Sequence, residues 1–204
     1  FLEDLIKKVK PVAKKEFKVL ENYAQSVDDI ESLEKWDVTF YSDMYKKFKY
    51  NIDQEELKPY FSLDNVLNGA LTISNKLYGL KFKKVTDIDT YNKEVNTYEV
   101  RDEKNSFIAL LYTDFHPREG KRGGAWMTSY KSQYIYKKNN ERPHISIVCN
   151  FTRPIKNKPS LLTFNEVTTL FHEFGHALHG ILANTKFKSL SGTNVSWDFV
   201  ELPS

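Results

Sequence analysis

The residues whose types and spacing could do chemistry together are His172, Glu173 and His176, in the run His172-Glu173-Phe174-Gly175-His176. Four residues advance an α-helix by roughly 400°, so the two imidazoles differ in direction by about 40° and stand about 6 Å apart on one face. Both can then reach one metal ion, and Glu173 lies beside them, where it could take a proton from a water that the metal activates. The chemistry implied is hydrolysis assisted by one Zn2+ per chain.

Two histidines leave such a site short of the three protein ligands typical of catalytic zinc. One known continuation of this motif would need glycine at position 179 and histidine at 182, but the chain has His179 and Leu182 there. The remaining source is a carboxylate from a following helix. Asp198-Phe199-Val200-Glu201 offers two, Asp198 and Glu201, the second 25 residues after His176. His179 shares the face of His172 but lies about 10.5 Å along the axis, too far to close the same small coordination sphere. It is assigned to packing or hydrogen bonding, and Cys149, in an apolar run, to packing.

These side chains need a helix to hold them, and the sequence supplies one. Thr163-Phe164-Asn165-Glu166 has the form of a capping box, and Val167, Leu170, Phe171, Phe174 and Leu178 recur at helical spacing, so a helix is predicted from about Phe164. Upstream, residues 1–34 read as two amphipathic helical stretches broken near Pro11, and Trp36, Phe40, Met44 and Phe48 mark the apolar face of another helix, widened by Tyr41 and Tyr45. A further helix runs from about Leu63 to Tyr78, with Leu71 and Leu77 among its inward residues and Gly79 as its stop. The period then shortens. Val95–Val100 and Ser106–Tyr112 read as a hairpin around Asp102–Asn105, His144–Cys149 reads as a third strand, and His116–Met127 reads as a basic, glycine-containing loop.

Three groups of segments carry a resemblance. Phe171 to Gly180 surrounds the histidines; Leu190-Ser191-Gly192-Thr193-Asn194 and Asp198 to Ser204 follow; Asp114 to Met127 and Cys149-Asn150-Phe151 precede. From about Trp36 onward the chain resembles the thimet oligopeptidase family of zinc peptidases, and the Leu190–Asn194 form is more similar to bacterial peptidyl-dipeptidases than to oligopeptidase A. The resemblance implies that His172, His176 and Glu201 are the zinc ligands and Glu173 the catalytic base. It implies short peptide substrates, release of C-terminal dipeptides, and a mostly helical α+β fold in which a small sheet packs beside the helix of the two histidines. Asp198 is expected to accept a hydrogen bond from a ligating histidine. Gly124 and Ala125 are expected to let a substrate backbone approach and pair as an added strand, while Arg118, Lys121 and Arg122 either attract a substrate carboxylate or simply face solvent.

Composition narrows the rest. Thirty Lys and Arg against 27 Asp and Glu leave a formal charge of +3. With those charges scattered, neither a nucleic-acid nor a membrane partner is expected. Hydrophobic residues at 40% suffice for a packed core, and a lone cysteine gives no reason to expect an oxidising compartment, so a cytoplasmic setting is expected. The organisation expected is a helical connecting segment over 1–34 and a partial zincin-like catalytic domain over 35–204, cut at both ends from a monomeric parent. On that expectation the fragment is inactive or nearly so, and exposes apolar surface or self-associates. The oxyanion-stabilising residues that the resemblance implies would lie beyond Ser204. The alternatives are a non-catalytic zincin-like fragment that binds metal or peptide without turnover, and a parent that cuts internally as an oligopeptidase.

Overall fold

The computed structural model describes residues 1–156 and 158–204, which divide into two compact units, Phe1–Glu56 and Leu57–Ser204. In the first unit, α1 (Leu2–Val27) packs against α2 (Val38–Tyr50), and α3 (Gln54–Leu57) begins at its end. The helix α2 therefore groups with α1. Its small core is Ala24, Leu33 and Tyr41, with Leu20, Ile30, Val38 and Met44 against them, and Tyr41 Oη donates to Asp28 Oδ2 at 3.0 Å.

Two sequence expectations fail here. The helix is not broken at Pro11, which sits inside a continuous α1. Proline removes one helical N–H donor, but this stretch is exposed on every side, so water can satisfy the carbonyl left without a partner. In α2, Phe40 and Phe48 are exposed and Tyr41 is the buried residue, so the inward stripe is rotated by about one residue from the one that the phenylalanines suggested.

The second unit is α+β. Helix α4 (Leu63–Tyr78) starts at Ser62, whose side chain accepts from the Asn65 amide, and ends at Gly79 with φ 66°, a left-handed conformation that favours glycine. Leu63, Val66, Leu67 and Ala70 face the core, whereas Leu77, expected to point inward, is exposed. Five strands form a mixed sheet in the order β1 (Lys81–Val85), β2 (Asn96–Arg101), β3 (Phe107–Asp114), β7 (His144–Val148) and β4 (Trp126–Lys131). The pair β2–β3 is the expected antiparallel hairpin; β3 and β7 run parallel, with Leu111 opposite Ile145, and β4 is antiparallel to β7, with Met127 opposite Ile147. The short hairpin of β5 (Tyr134–Tyr136) and β6 (Asn139–Glu141) stands apart from this sheet.

Strand alternation assigns the faces. Ala109, Leu111, Ile145 and Ile147 join α4 and α5 (Phe164–Ile181) in the main core, while Leu110 and Tyr112 form a smaller cluster with Val95. Besides the short β5–β6 hairpin, two strands of the five-stranded sheet run through sequence that gave no strand signal. β1 carries three lysines on an edge, where charge blunts unwanted pairing. β4 begins at Trp126, inside the segment His116–Met127 that reads as a loop. The last helix is α6 (Trp197–Val200). Among the described residues no helix is long and apolar enough to cross a membrane.

A candidate metal centre on the α5 helix

The position of α5 is fixed from both ends. At its start the capping box is complete: Thr163 Oγ1 accepts from the Glu166 amide at 3.2 Å, and Glu166 Oε2 accepts from the Thr163 amide at 2.8 Å. At its end Arg142 donates to the carbonyls of Ile181 at 2.8 Å and Ala183 at 3.1 Å, and also to Ile108 O on β3 at 2.7 Å. A guanidinium at a helix C-terminus satisfies carbonyls that have no helical partner. In the last turn Gly180 brings the helix against the sheet, since a Cβ there would lie 2.7 Å from Ile145 Cδ1.

The side chains singled out by the sequence fall on one face of this helix. The rings of His172 and His176 have centroids 4.8 Å apart. Glu201, which caps the C-terminus of α6, points Oε2 at both: 3.2 Å from His176 Nε2 and 3.4 Å from His172 Nε2. One ligand atom from each residue lies within 4.8 Å of the others. Zinc–nitrogen and zinc–oxygen bonds of about 2.0–2.2 Å put two tetrahedral ligands about 3.3–3.6 Å apart. The spacing of Glu201 from the two imidazoles fits that edge length, and the N, N, O donor set is one that zinc accepts. Ser204 Oγ donates to the same Glu201 Oε2 at 2.9 Å and so restrains the carboxylate.

Glu173 lies on the inner side of the pair and is 7% exposed. Burial pushes its carboxyl above the usual range, against the opposing influence of His172, His176 and the Met127 amide. These residues border a cleft of about 400 Å³ whose other walls are Ala125, Trp126, Met127, Thr193 and Val200. Trp126 and Met127, at the start of the edge strand β4, form one side.

The other expected residues divide. Ala125 lines the cleft; Gly124, at φ 92°, precedes it and is not part of the lining. Asp198 is exposed, and His176 Nδ1 is buried without a hydrogen-bond partner, so the expected bond from a ligating histidine to Asp198 is not formed there. The His179 ring lies 6.3 Å from that of Phe199, in keeping with packing, and burial lowers its pKa. Cys149 is fully buried and its thiol is pushed up to about 12, mainly by that burial. Arg118 and Lys121 do not stand free for a substrate: both bind Asp114, Arg118 through two bonds of 2.7 and 2.9 Å and Lys121 at 2.9 Å.

Sequence reasoning gave no role to Asn150, yet its amide donates to Arg122 O at 2.9 Å and Gly124 O at 2.7 Å, holding the loop that leads into Ala125. Its place directly after the β7 apolar run, level with that glycine loop, was the available signal.

The model of peptidase family M3 matches residues 1–204. The chain belongs to that family. Among curated M3 relatives it is 40% identical to oligopeptidase A of Salmonella typhimurium over the whole chain, and 43% identical to dipeptidyl carboxypeptidase of Escherichia coli over 85% of it. It is 34% identical over its whole length to saccharolysin of Saccharomyces cerevisiae. The chain spans 30% of the length of that oligopeptidase A and 25% of that dipeptidyl carboxypeptidase. Both kinds of relative in this M3 set are thus similar to it at nearly the same level.

Proposed function

We propose that the full-length protein carrying this segment is a zinc metallopeptidase of short peptides, with His172, His176 and Glu201 as the metal ligands and Glu173 as the general base. The observation that carries this reading is the approach of Glu201 Oε2 to both imidazoles at 3.2 and 3.4 Å, with the buried Glu173 on the same wall of one cleft. Bound zinc supplies Lewis acidity toward a water and a carbonyl oxygen. Glu173 takes the proton from the water that attacks the peptide carbonyl and returns it to the leaving amine. Its burial favours the neutral acid and so suits the second transfer. An extended peptide lies along the outer edge of β4, where Ala125 offers little side-chain bulk.

Within this activity the proposed product is a C-terminal dipeptide. The Leu190–Asn194 segment favours that mode, and a relative named dipeptidyl carboxypeptidase is 43% identical to the chain. The proposed setting is the cytoplasm, where a lone buried thiol needs no partner.

The test is an assay of the full-length protein on N-blocked peptides, with products identified by mass. Stepwise loss of C-terminal dipeptides is expected, internal cuts would select the oligopeptidase mode, and no cleavage would refute the peptidase. Glu173→Gln should lower kcat by about 10²–10⁴ while zinc content stays unchanged. A fully active Glu173→Gln protein would remove that residue from the mechanism.

A further inference from the structure

Beside the metal cleft lies a second cavity of about 260 Å³. It is bounded by β4, by the last turn of α5 at Gly180 and by residues 191–194, and it shares Met127 and Thr193 with the cleft. Its lining is polar but carries no Asp, Glu, Lys, Arg or His. Ser129, Ser132 and Thr193 hold hydroxyls there that have no hydrogen-bond partner among the described residues, and Asn194 adds an amide.

The walls are built rather than incidental. Gln133 is wholly buried. Its oxygen accepts from the Thr185 amide at 2.8 Å and from Ser191 Oγ at 3.4 Å, while its nitrogen donates to Asn140 Oδ1 at 2.9 Å and Thr185 O at 3.0 Å. Gly192, at φ 58°, seats the 191–194 loop directly on Gly180, where a Cβ would lie 3.1 Å from Gly180 Cα. Gln133 spends its polar atoms on the walls, so the unpaired hydroxyls are the groups left to meet a ligand. A preformed wall adds little ordering cost on binding.

We propose that this cavity is a specificity pocket that takes a neutral, hydrogen-bonding side chain of the substrate peptide, an amide or a hydroxyl, and rejects charged ones. The inference rests on the peptidase reading and adds to it. A peptide paired along the outer edge of β4 passes the metal cleft at Ala125–Met127. At about 3.3–3.4 Å per residue it reaches Ser129 about 7 Å further on. The pocket therefore receives the side chain one or two residues from the reacting carbonyl. Donor and acceptor hydroxyls satisfy an amide, whereas a carboxylate or ammonium would leave water with no opposite charge to meet.

The experiment uses the full-length protein with zinc and N-blocked peptides in which each position flanking the cleaved bond is varied in turn among Gln, Thr, Leu, Glu and Lys. At one position Gln and Thr should exceed Glu and Lys at least tenfold in kcat/KM. Ser129 is exposed on the strand edge and Asn194 is exposed in its loop, so both accept substitution without disturbing the core. Ser129→Lys should raise the Glu-to-Gln ratio at that position at least tenfold, and Asn194→Asp should raise the Lys-to-Gln ratio, with ratios at the other positions unchanged. Cleavage with a flat profile at every position, or ratios that neither variant moves, overturns the pocket and leaves the peptidase standing. Failure of the wild-type protein to cleave any peptide overturns both.

Discussion

Gly175 and Pro203 are in direct backbone apposition: a Cβ at position 175 would collide with the Pro203 carbonyl oxygen and lie 2.6 Å from Ser204 Cα. The missing side chain in the middle of α5 lets the segment after Glu201 lie flat on the helix, and Glu201, directly before that segment, supplies the carboxylate facing both histidines. Intrinsic helix propensity alone would make Gly175→Ala stabilising by about 1 kcal/mol. The contact predicts the opposite for the site. Gly175→Ala should displace Glu201 and weaken zinc binding at least tenfold, with helix content retained by circular dichroism. Unchanged zinc affinity in a titration against a competing chelator would show that residues 201–204 do not depend on this approach.

The two carboxylates near the site should behave differently when removed. His172→Ala and Glu201→Ala each delete a donor from the three-residue group, so zinc measured by elemental analysis should fall from about one per chain to a small fraction. Asp198 is exposed and makes no bond to His176 Nδ1, so Asp198→Ala should keep its zinc. Equal zinc in wild-type and His172→Ala protein would refute the ligand assignment, and loss of zinc in Asp198→Ala would restore the role that sequence reasoning gave that residue.

What the sequence made legible was local. The helix of His172 and His176 was readable because a capping box and a repeating apolar stripe lie within residues 163–181. The Leu63–Tyr78 helix was readable because Gly79 marks its end. The resemblance selected Glu201 from two candidate carboxylates; spacing alone left Asp198 open, because the choice depends on how α6 is seated. Long-range features were not readable. Lys81–Val85 has a lysine-rich pattern that gives no sign of pairing with Arg101–Thr97. Arg118 and Lys121 read as loop cations because nothing nearby in sequence indicated that Asp114, at the end of a strand, would be buried between them. The cavity beside the cleft joins β4 to a loop more than 60 residues later, and no pattern in either segment announces the other.

That buried acid sets a pH dependence. Asp114 is 2% exposed and accepts from Arg118, Lys121 and Tyr91. Burial would raise its carboxyl, but these hydrogen bonds outweigh burial and hold it below the usual 3.8. Because the folded value is the lower one, the stability it contributes is present above pH 3.8 and is lost as pH falls through the folded value. Asp114→Asn should therefore cost about 3–5 kcal/mol at pH 7, since Lys121 would be left buried without its counter-charge. The variant should also lose less than the wild type on acidification below pH 4. Parallel stability curves from urea unfolding between pH 2 and 7 would show that Asp114 does not contribute in this way.

Arg142 offers a test of how the metal helix is held without touching the metal. Its guanidinium donates to Ile108 O on β3 and to Ile181 O and Ala183 O at the end of α5, and burial lowers its pKa. Arg142→Met keeps the aliphatic volume and removes the donors, leaving carbonyls at a packed helix end without partners. A loss of about 2–4 kcal/mol in unfolding free energy is expected. The loss should be local. Amide hydrogen exchange should rise in the last turn of α5 and in residues 183–185, while the first turn, held by Thr163 and Glu166, keeps its protection. Arg142→Lys replaces the fork with a single ammonium, which cannot span three carbonyls with the same geometry, so it should recover only part of the stability. Full recovery by lysine would mean that charge near the helix end matters and the bridging of β3 to α5 does not.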